Sequence, residues 1–156
     1  GRITQLGYDN SNAKFLPVNS VLIALNGQGK TRGTVAMLRV KATCNQSLVS
    51  INPKNITTIL PEFIFYNLKA RYVEIRKMTG DSGNDRRGLN MPLIRSITIK
   101  YPKSIEKQNE YINKFKFLNQ ETKKLEELYR SKLEIVANLQ QSIIKRAFEN
   151  ELIESE

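Results

Sequence analysis

A chain of 156 residues is long enough for one compact domain and an appendage, and its formal net charge of +10 favours a polyanionic partner. The absence of histidine excludes His-dependent catalytic triads and His-based metal sites. The single cysteine, Cys44, excludes an internal disulfide and favours a reducing, cytoplasmic compartment. No apolar run approaches the roughly 20 residues of a membrane helix, so no membrane partner is expected.

The first part of the chain has the pattern of a small mixed β-sheet. Residues 20–25 form an apolar run that is typical of a strand buried on both faces. A Gly-rich turn over residues 27–33 leads to a second predicted strand at residues 34–40. A third strand is predicted for residues 44–51, which end at an Asn-Pro pair.

A helix and a last strand are predicted to complete this sheet domain, and residues 2–4 also look strand-like. The helix begins at Pro61, since proline is favoured in a first helical turn, and it runs to about Met78. Residues 79–90 are rich in Gly, Asp and Asn and predict a loop. Residues 94–101 alternate as a strand does. The predicted fold class is therefore α+β.

From Ser104 the apolar period becomes helical, and neither Gly nor Pro occurs between residues 104 and 156. We expect a long, coiled-coil-forming C-terminal helix, either unbroken or interrupted at residues 119–122. The chain thus divides into a sheet domain at residues 1–103 and a helical region at residues 104–156. A generic oligomerisation coiled coil is an alternative interpretation. The residues expected to face a partner helix are Leu118, Leu125, Tyr129, Val136, Leu139 and Ile143.

Charge divides at the same point as periodicity. Residues 1–103 contain 16 Lys and Arg against 5 Asp and Glu, a net charge of +11. Residues 104–156 contain 9 basic and 10 acidic residues, a net charge of −1. This asymmetry predicts that the sheet domain meets nucleic acid and that the helix does not.

The Gly-rich turn resembles a phosphate-binding loop only superficially. The pattern G-x-x-x-x-G-K-[ST] requires glycine at position 24, where this chain has Ala24. Such a loop also opens a helix, whereas residues 34–40 are strand-like. Nucleotide hydrolysis is therefore not expected.

Two predicted loops carry side chains that suit DNA. Arginine can bind guanine, Asn and Gln can pair with adenine, and Lys or Thr can hold phosphate. Taken singly, each loop can also be an ordinary solvated hairpin tip; two of them in a domain of net charge +11 favour DNA. The candidate DNA-binding residues are Asn26, Gln28, Lys30, Thr31 and Arg32 in the first loop, and Asn84, Arg86, Arg87 and Asn90 in the second.

Read together, these segments resemble a known family. They are SVLIALNGQGKTRGTVAMLRVKATCNQSLVSINP, LPEFIFYNLKAR, GLNMPLIRSITIKYP and LEELYRSKLEIVANLQQSIIKRAFENEL. Their order is similar to that of a target-recognition domain and spacer helix in the specificity (S) subunits of type I restriction–modification systems. The resemblance makes residues 1–103 the recognition domain, incomplete at its N-terminus. It also adds Asn45 and Gln46 to the candidate DNA-binding residues.

The resemblance implies a non-catalytic protein without a cofactor. It would recognise one half-site of double-stranded DNA and direct the methyltransferase (M) subunits, with the restriction (R) subunits joining through them. Its helix would pair with the other half of an S subunit or with a second copy of itself. The alternatives are the recognition region of a fused type IIG or IIB enzyme and a non-DNA adaptor domain on a coiled coil.

Overall fold

A computed structural model describes residues 3–27, 29–80 and 88–149. The chain divides into two compact units, Gly1–Asn113 and Lys114–Glu156. In its described part the first unit contains an antiparallel sheet, and a long helix follows that sheet in the chain. This arrangement confirms the predicted α+β class.

The sheet is built around an apolar central strand. Its strands are β1 (Val21–Ala24), β2 (Val35–Met37) and β3 (Leu48–Ile51), in the order β2-β1-β3. Both pairings are antiparallel, and Ile23 lies opposite Val35 on one side and Val49 on the other. Val21 and Ile23 share one face of β1 and are fully buried, while on the other face Ala24 is 6% exposed and Leu22 is half-buried. This burial agrees with the prediction of a strand covered on both faces.

In chain order, one helix of the described residues precedes the sheet and four follow it. The helices of the described residues are α1 (Gln5–Asp9), α2 (Pro61–Ala70), α3 (Tyr72–Lys77), α4 (Met91–Ser96) and α5 (Ile105–Phe148). The helix predicted from Pro61 to Met78 is thus two helices that meet at Arg71. The Arg71 guanidinium binds both carboxylate oxygens of Glu74 and donates to the Thr98 carbonyl oxygen at 2.8 Å. This hydrogen bonding lowers the pKa of the Glu74 carboxyl group below its ordinary value.

Two predicted strands are wrong. Within residues 94–101 the chain instead completes α4, and residues 97–101 follow it without forming a strand. The Asn90 side chain caps α4 by accepting from the Leu93 N–H, and Pro92 lies in the first turn, so local capping overrides the alternation. In the described part of residues 2–4, Thr4 caps α1 by accepting from the Gly7 N–H.

One hydrophobic core joins the sheet to α2, α3 and α4. Ile64, Leu68, Ile75 and Ile94 from these helices pack in the same cluster as Ile23. Each such side chain contributes roughly 1.5–3 kcal/mol when it is fully buried. Ile97 and Ile99 pack against this cluster although they belong to no strand, so their alternation reflects burial alone.

The first turns of α5 belong to the sheet unit. The Ser104 hydroxyl accepts from the Lys107 N–H and donates to the Glu106 carboxylate, which lowers the pKa of Glu106. Gln108 is fully buried: its Oε1 accepts from the Leu60 N–H at 2.9 Å, and its Nε2 donates to the carbonyl oxygens of Thr58 and Pro102. The helix then continues unbroken through residues 119–122, the segment in which an interruption was one of two alternatives.

Candidate DNA-contacting surface

Three polar segments converge at the end of β1, where Leu25 links them through its backbone. The Leu25 N–H donates to the Ser47 carbonyl oxygen at 2.8 Å, and the Leu25 carbonyl oxygen accepts from the Leu89 N–H at 2.8 Å. Residues 25–34 form the β1–β2 loop, which begins at this position. The fold therefore brings three predicted DNA-binding segments, those of Asn26, Asn45 and Asn90, to one end of the sheet.

Glycines determine the path of the β1–β2 loop. Gly27, Gly29 and Gly33 have φ values of 128°, 63° and 80°, which other residues rarely adopt. A Cβ at Gly27 would also lie 2.7 Å from the Thr31 Cβ. Lys30 and Thr31 are exposed, so their side chains are accessible to a partner.

Arg32 was predicted to contact DNA at a base edge or a phosphate, but the structure buries it to 5% exposure. A side chain so covered cannot reach a base edge in this conformation. Its role as a base reader stays a prediction that requires the side chain to turn outward.

The predicted asparagine side chains at this end of the sheet make local contacts. The Asn45 Oδ1 accepts from the Ser47 N–H at 3.1 Å, and the Asn90 Oδ1 accepts from the Leu93 N–H at 3.0 Å. Both residues are exposed, with one side-chain oxygen engaged locally. Exposed Asn26 packs closely on Gly88, where an added Cβ would collide with its Oδ1. The predicted residues Gln28, Asn84, Arg86 and Arg87 lie outside the described residues.

Asn45 and exposed Gln46 also line an open groove of about 980 Å³. Phe15 and Lys41 line the same groove, and the Lys41 ammonium lies 4.8 Å from the Phe15 ring centroid. The Tyr8 ring stacks on Phe15 at 4.6 Å between centroids. This cluster was not predicted from the sequence, where the adjacent pair Lys14-Phe15 is the only local signal and Lys41 lies 26 residues further along the chain.

Sequence reasoning also missed two residues that hold the β1–β2 loop. The Tyr72 hydroxyl donates to the Lys30 carbonyl oxygen, and the Arg76 guanidinium donates to the Arg32 carbonyl oxygen. Both belong to α3, and their spacing of four residues places them on one helix face. That spacing was the available signal, but it does not reveal hydrogen-bond acceptors that are 42 and 44 residues away in the chain.

The described part of the second unit is a helix with an apolar stripe. Twelve large apolar side chains between Phe117 and Phe148 are 49–86% exposed, more than a monomeric soluble protein ordinarily leaves uncovered. This exposure favours a partner helix without identifying one. The six predicted interface residues are among them: Leu118 (58%), Leu125 (54%), Tyr129 (61%), Val136 (59%), Leu139 (58%) and Ile143 (53%).

In residues 3–27, 29–80 and 88–149, none of the helices is both long and apolar enough to cross a bilayer. Nor do three or more acidic, Cys or His side chains gather there as metal ligands would.

Comparison with known families identifies the class of this protein. A family model described as type I restriction modification DNA specificity domain matches residues 2–143, which is nearly the whole chain. The chain is therefore a DNA-recognition domain, of a class that selects sequences and does not itself catalyse a reaction. It belongs to the DNA specificity domain family of type I restriction–modification systems.

Proposed function

We propose that this chain acts in a specificity subunit that reads one half-site of a bipartite DNA target. The observation that carries the proposal is the convergence at Leu25 of three polar segments, within a domain whose net charge is +11 over residues 1–103. Loops presented together from one end of a rigid sheet suit base contact better than isolated loops do.

The exposed residues divide by chemistry into two roles. Lys30 holds a phosphate, because an ammonium group at a loop tip is a compact point charge without base-reading geometry. Asn26, Asn45 and Gln46 supply amide groups, which can pair with adenine edges in the major groove. Thr31 and Asn90 belong to the same surface. Arg86 and Arg87 are candidates for contact with base edges or phosphates.

The helix sets the distance between half-sites in this proposal. From Leu118 to Phe148 a straight helix extends roughly 45 Å at about 1.5 Å per residue. That length corresponds to roughly 13 base pairs of B-DNA at about 3.4 Å per pair. Its apolar stripe pairs with the other half of the specificity subunit or with a second copy of the chain. Methyltransferase subunits dock on this assembly in the cytoplasm, and restriction subunits join through them.

The test is a binding selection with the full chain and methyltransferase subunits. Duplexes are selected from a random-sequence pool, and binding is then measured against random-sequence competitor DNA. We expect one short motif to be enriched within each half-site and to resist competition. If random-sequence DNA competes as well as the selected duplex does, sequence reading is contradicted. Only nonspecific attachment to DNA would then remain.

A further inference from the structure

Helix α3 holds the β1–β2 loop by its main chain. The Tyr72 hydroxyl donates to the Lys30 carbonyl oxygen at 2.7 Å, and Arg76 Nη1 donates to the Arg32 carbonyl oxygen at 3.0 Å. The same Nη1 donates to the Tyr72 hydroxyl oxygen at 3.2 Å. The hydroxyl group therefore donates one hydrogen bond and accepts another, which suits its single hydrogen and two lone pairs.

Packing supports the same arrangement. The Arg76 guanidinium carbon lies 5.4 Å from the Tyr72 ring centroid, so the two side chains order each other. Gly33 has a φ of 80°, and a Cβ there would lie 3.3 Å from Arg76 Cγ and 3.6 Å from Ile75 Cγ2. Ile75 is fully buried in the core, which fixes the position of α3 under the loop.

We propose that Tyr72 and Arg76, named here the α3 clamp, are positioning residues that set the DNA sequence preference of the β1–β2 loop. The inference rests on the function proposed above. By binding the carbonyl groups of Lys30 and Arg32, the clamp fixes the backbone on both sides of Thr31. The clamp also holds Gly27, which packs against Thr31, and so it orients the neighbouring Asn26 amide, proposed above to pair with adenine, before any DNA is present.

This role is distinct from general stabilisation because base contacts and phosphate contacts tolerate movement differently. A bidentate base contact needs both hydrogen bonds aligned, whereas a cation attracts a phosphate over a wider range of positions. A loop ordered in advance also loses less entropy on binding. Loosening the clamp should therefore reduce discrimination between cognate and mismatched duplexes and leave the affinity for nonspecific DNA unchanged.

The experiment uses Tyr72→Phe, which keeps the ring and removes the hydroxyl group, and Arg76→Lys, which keeps the charge and removes the guanidinium fork. Each variant, as the full chain with methyltransferase subunits, is titrated with the duplex selected by the wild type and with single-base mismatches, at two salt concentrations. We expect cognate binding to weaken about two- to tenfold, the effect of one net hydrogen bond. Mismatch binding and the salt slope should stay unchanged.

Val73→Ala is the matched control, since Val73 lies in α3 between the two residues and is 63% exposed. Val73→Ala should change neither the affinity for the cognate duplex nor the affinity for mismatched duplexes. The unfolding temperature of each variant is measured as well. If the Arg76→Lys variant unfolds at a lower temperature than the wild type, the nearly isosteric Tyr72→Phe variant decides the test. Equal weakening of cognate and mismatched duplexes, or no weakening in Tyr72→Phe, would overturn the clamp. A wild type without any preference between duplexes would overturn the proposed function as well.

Discussion

Lys30 and Arg32 are two residues apart in the β1–β2 loop, and the fold treats them differently. Lys30 is exposed, whereas Arg32 is 5% exposed and its carbonyl oxygen is bound by Arg76. The sequence predicted both at a surface, because a basic residue in a Gly-rich turn is ordinarily solvated. The direction of each side chain depends on the left-handed turn at Gly33 and on α3, and no local pattern encodes a helix about 40 residues away.

Lys30→Ala should weaken binding to every duplex alike. If Lys30 neutralises one phosphate, its loss lowers the slope of log affinity against log salt by about one. Lys54→Ala is the control, because exposed Lys54 follows β3 at the opposite end of the sheet. Titrations of cognate and mismatched duplexes at several salt concentrations measure both variants. Equal slopes for Lys30→Ala and wild type would remove Lys30 from the contact surface.

Arg32→Ala tests whether the buried arginine supports the loop or reads a base. From its buried position we expect a loss of folding stability of roughly 1–3 kcal/mol, with base preference retained. Urea unfolding gives the stability, and single-mismatch titrations give the preference. The opposite result, unchanged stability with relaxed preference at one base pair, would show that Arg32 turns outward to read guanine.

Gln108→Ala should destabilise the sheet unit by about 1–3 kcal/mol, because it leaves the Leu60 N–H without its acceptor in a buried place. Calorimetry of the full chain measures the loss. Gln120→Ala makes the same change at an exposed position of α5 and should have little effect. In Gln108→Glu, burial would raise the pKa of the new carboxyl group. The free energy of unfolding of this variant should therefore fall as pH rises above about 4.3, the ordinary pKa of a glutamate. A pH-independent loss in Gln108→Glu would contradict burial of this position.

At the scale of elements, the sequence predicted β1, β2 and β3 and the long helix, because their apolar periods are unambiguous. The strand predicted for residues 94–101 was wrong for a physical reason. Alternating Ile residues indicate that one side of a segment is buried, and here a segment without strand partners buries Ile97 and Ile99 against the core. The signals that decide this region are the Asn90 cap and Pro92 in the first turn of α4.

The apolar stripe of α5 gives a prediction about assembly. Val136→Asp should weaken association at least tenfold, because pairing would bury an unpaired charge in an apolar seam. Sedimentation of the chain with methyltransferase subunits measures the assembly state. An unchanged sedimentation profile would show that the stripe is not the interface.

Asn138→Asp is the matched control for this substitution. It adds the same charge about 200° around the helix from Val136, at about 3.6 residues per turn, and it is also exposed. Assembly should therefore be retained. Equal effects of the two substitutions would indicate helix destabilisation rather than a broken interface.

At the scale of the whole molecule, charge and periodicity place a change at Ser104, whereas contacts extend the sheet unit to Asn113. We expect a fragment of residues 1–113 to unfold at higher urea concentration than one of residues 1–103, which lacks Gln108 and Ile112 (2% exposed). A fragment of residues 1–120 should match the 1–113 fragment. Equal stability of all three fragments would place the boundary at residue 103, as periodicity predicts.

The convergence of three segments at Leu25 was not predictable from residue patterns. It depends on hydrogen bonds from Leu25 to Ser47 and Leu89, which are 22 and 64 residues away in the chain. Composition could identify polar loops and a basic domain. It could not show that separate loops meet, because pairing between distant segments is a property of the folded sheet.

Gln108 has a consequence for the order in which the protein is made. Leu60, the residue before α2, receives its hydrogen-bond acceptor from a side chain that the ribosome adds 48 residues later. Strands β1 to β3 and helix α2 all leave the ribosome before that acceptor exists, although domains generally fold as units during synthesis. The nascent recognition domain therefore cannot complete its folding until the opening turns of α5 have emerged. Completion of the sheet unit is therefore linked in time to synthesis of the first part of α5.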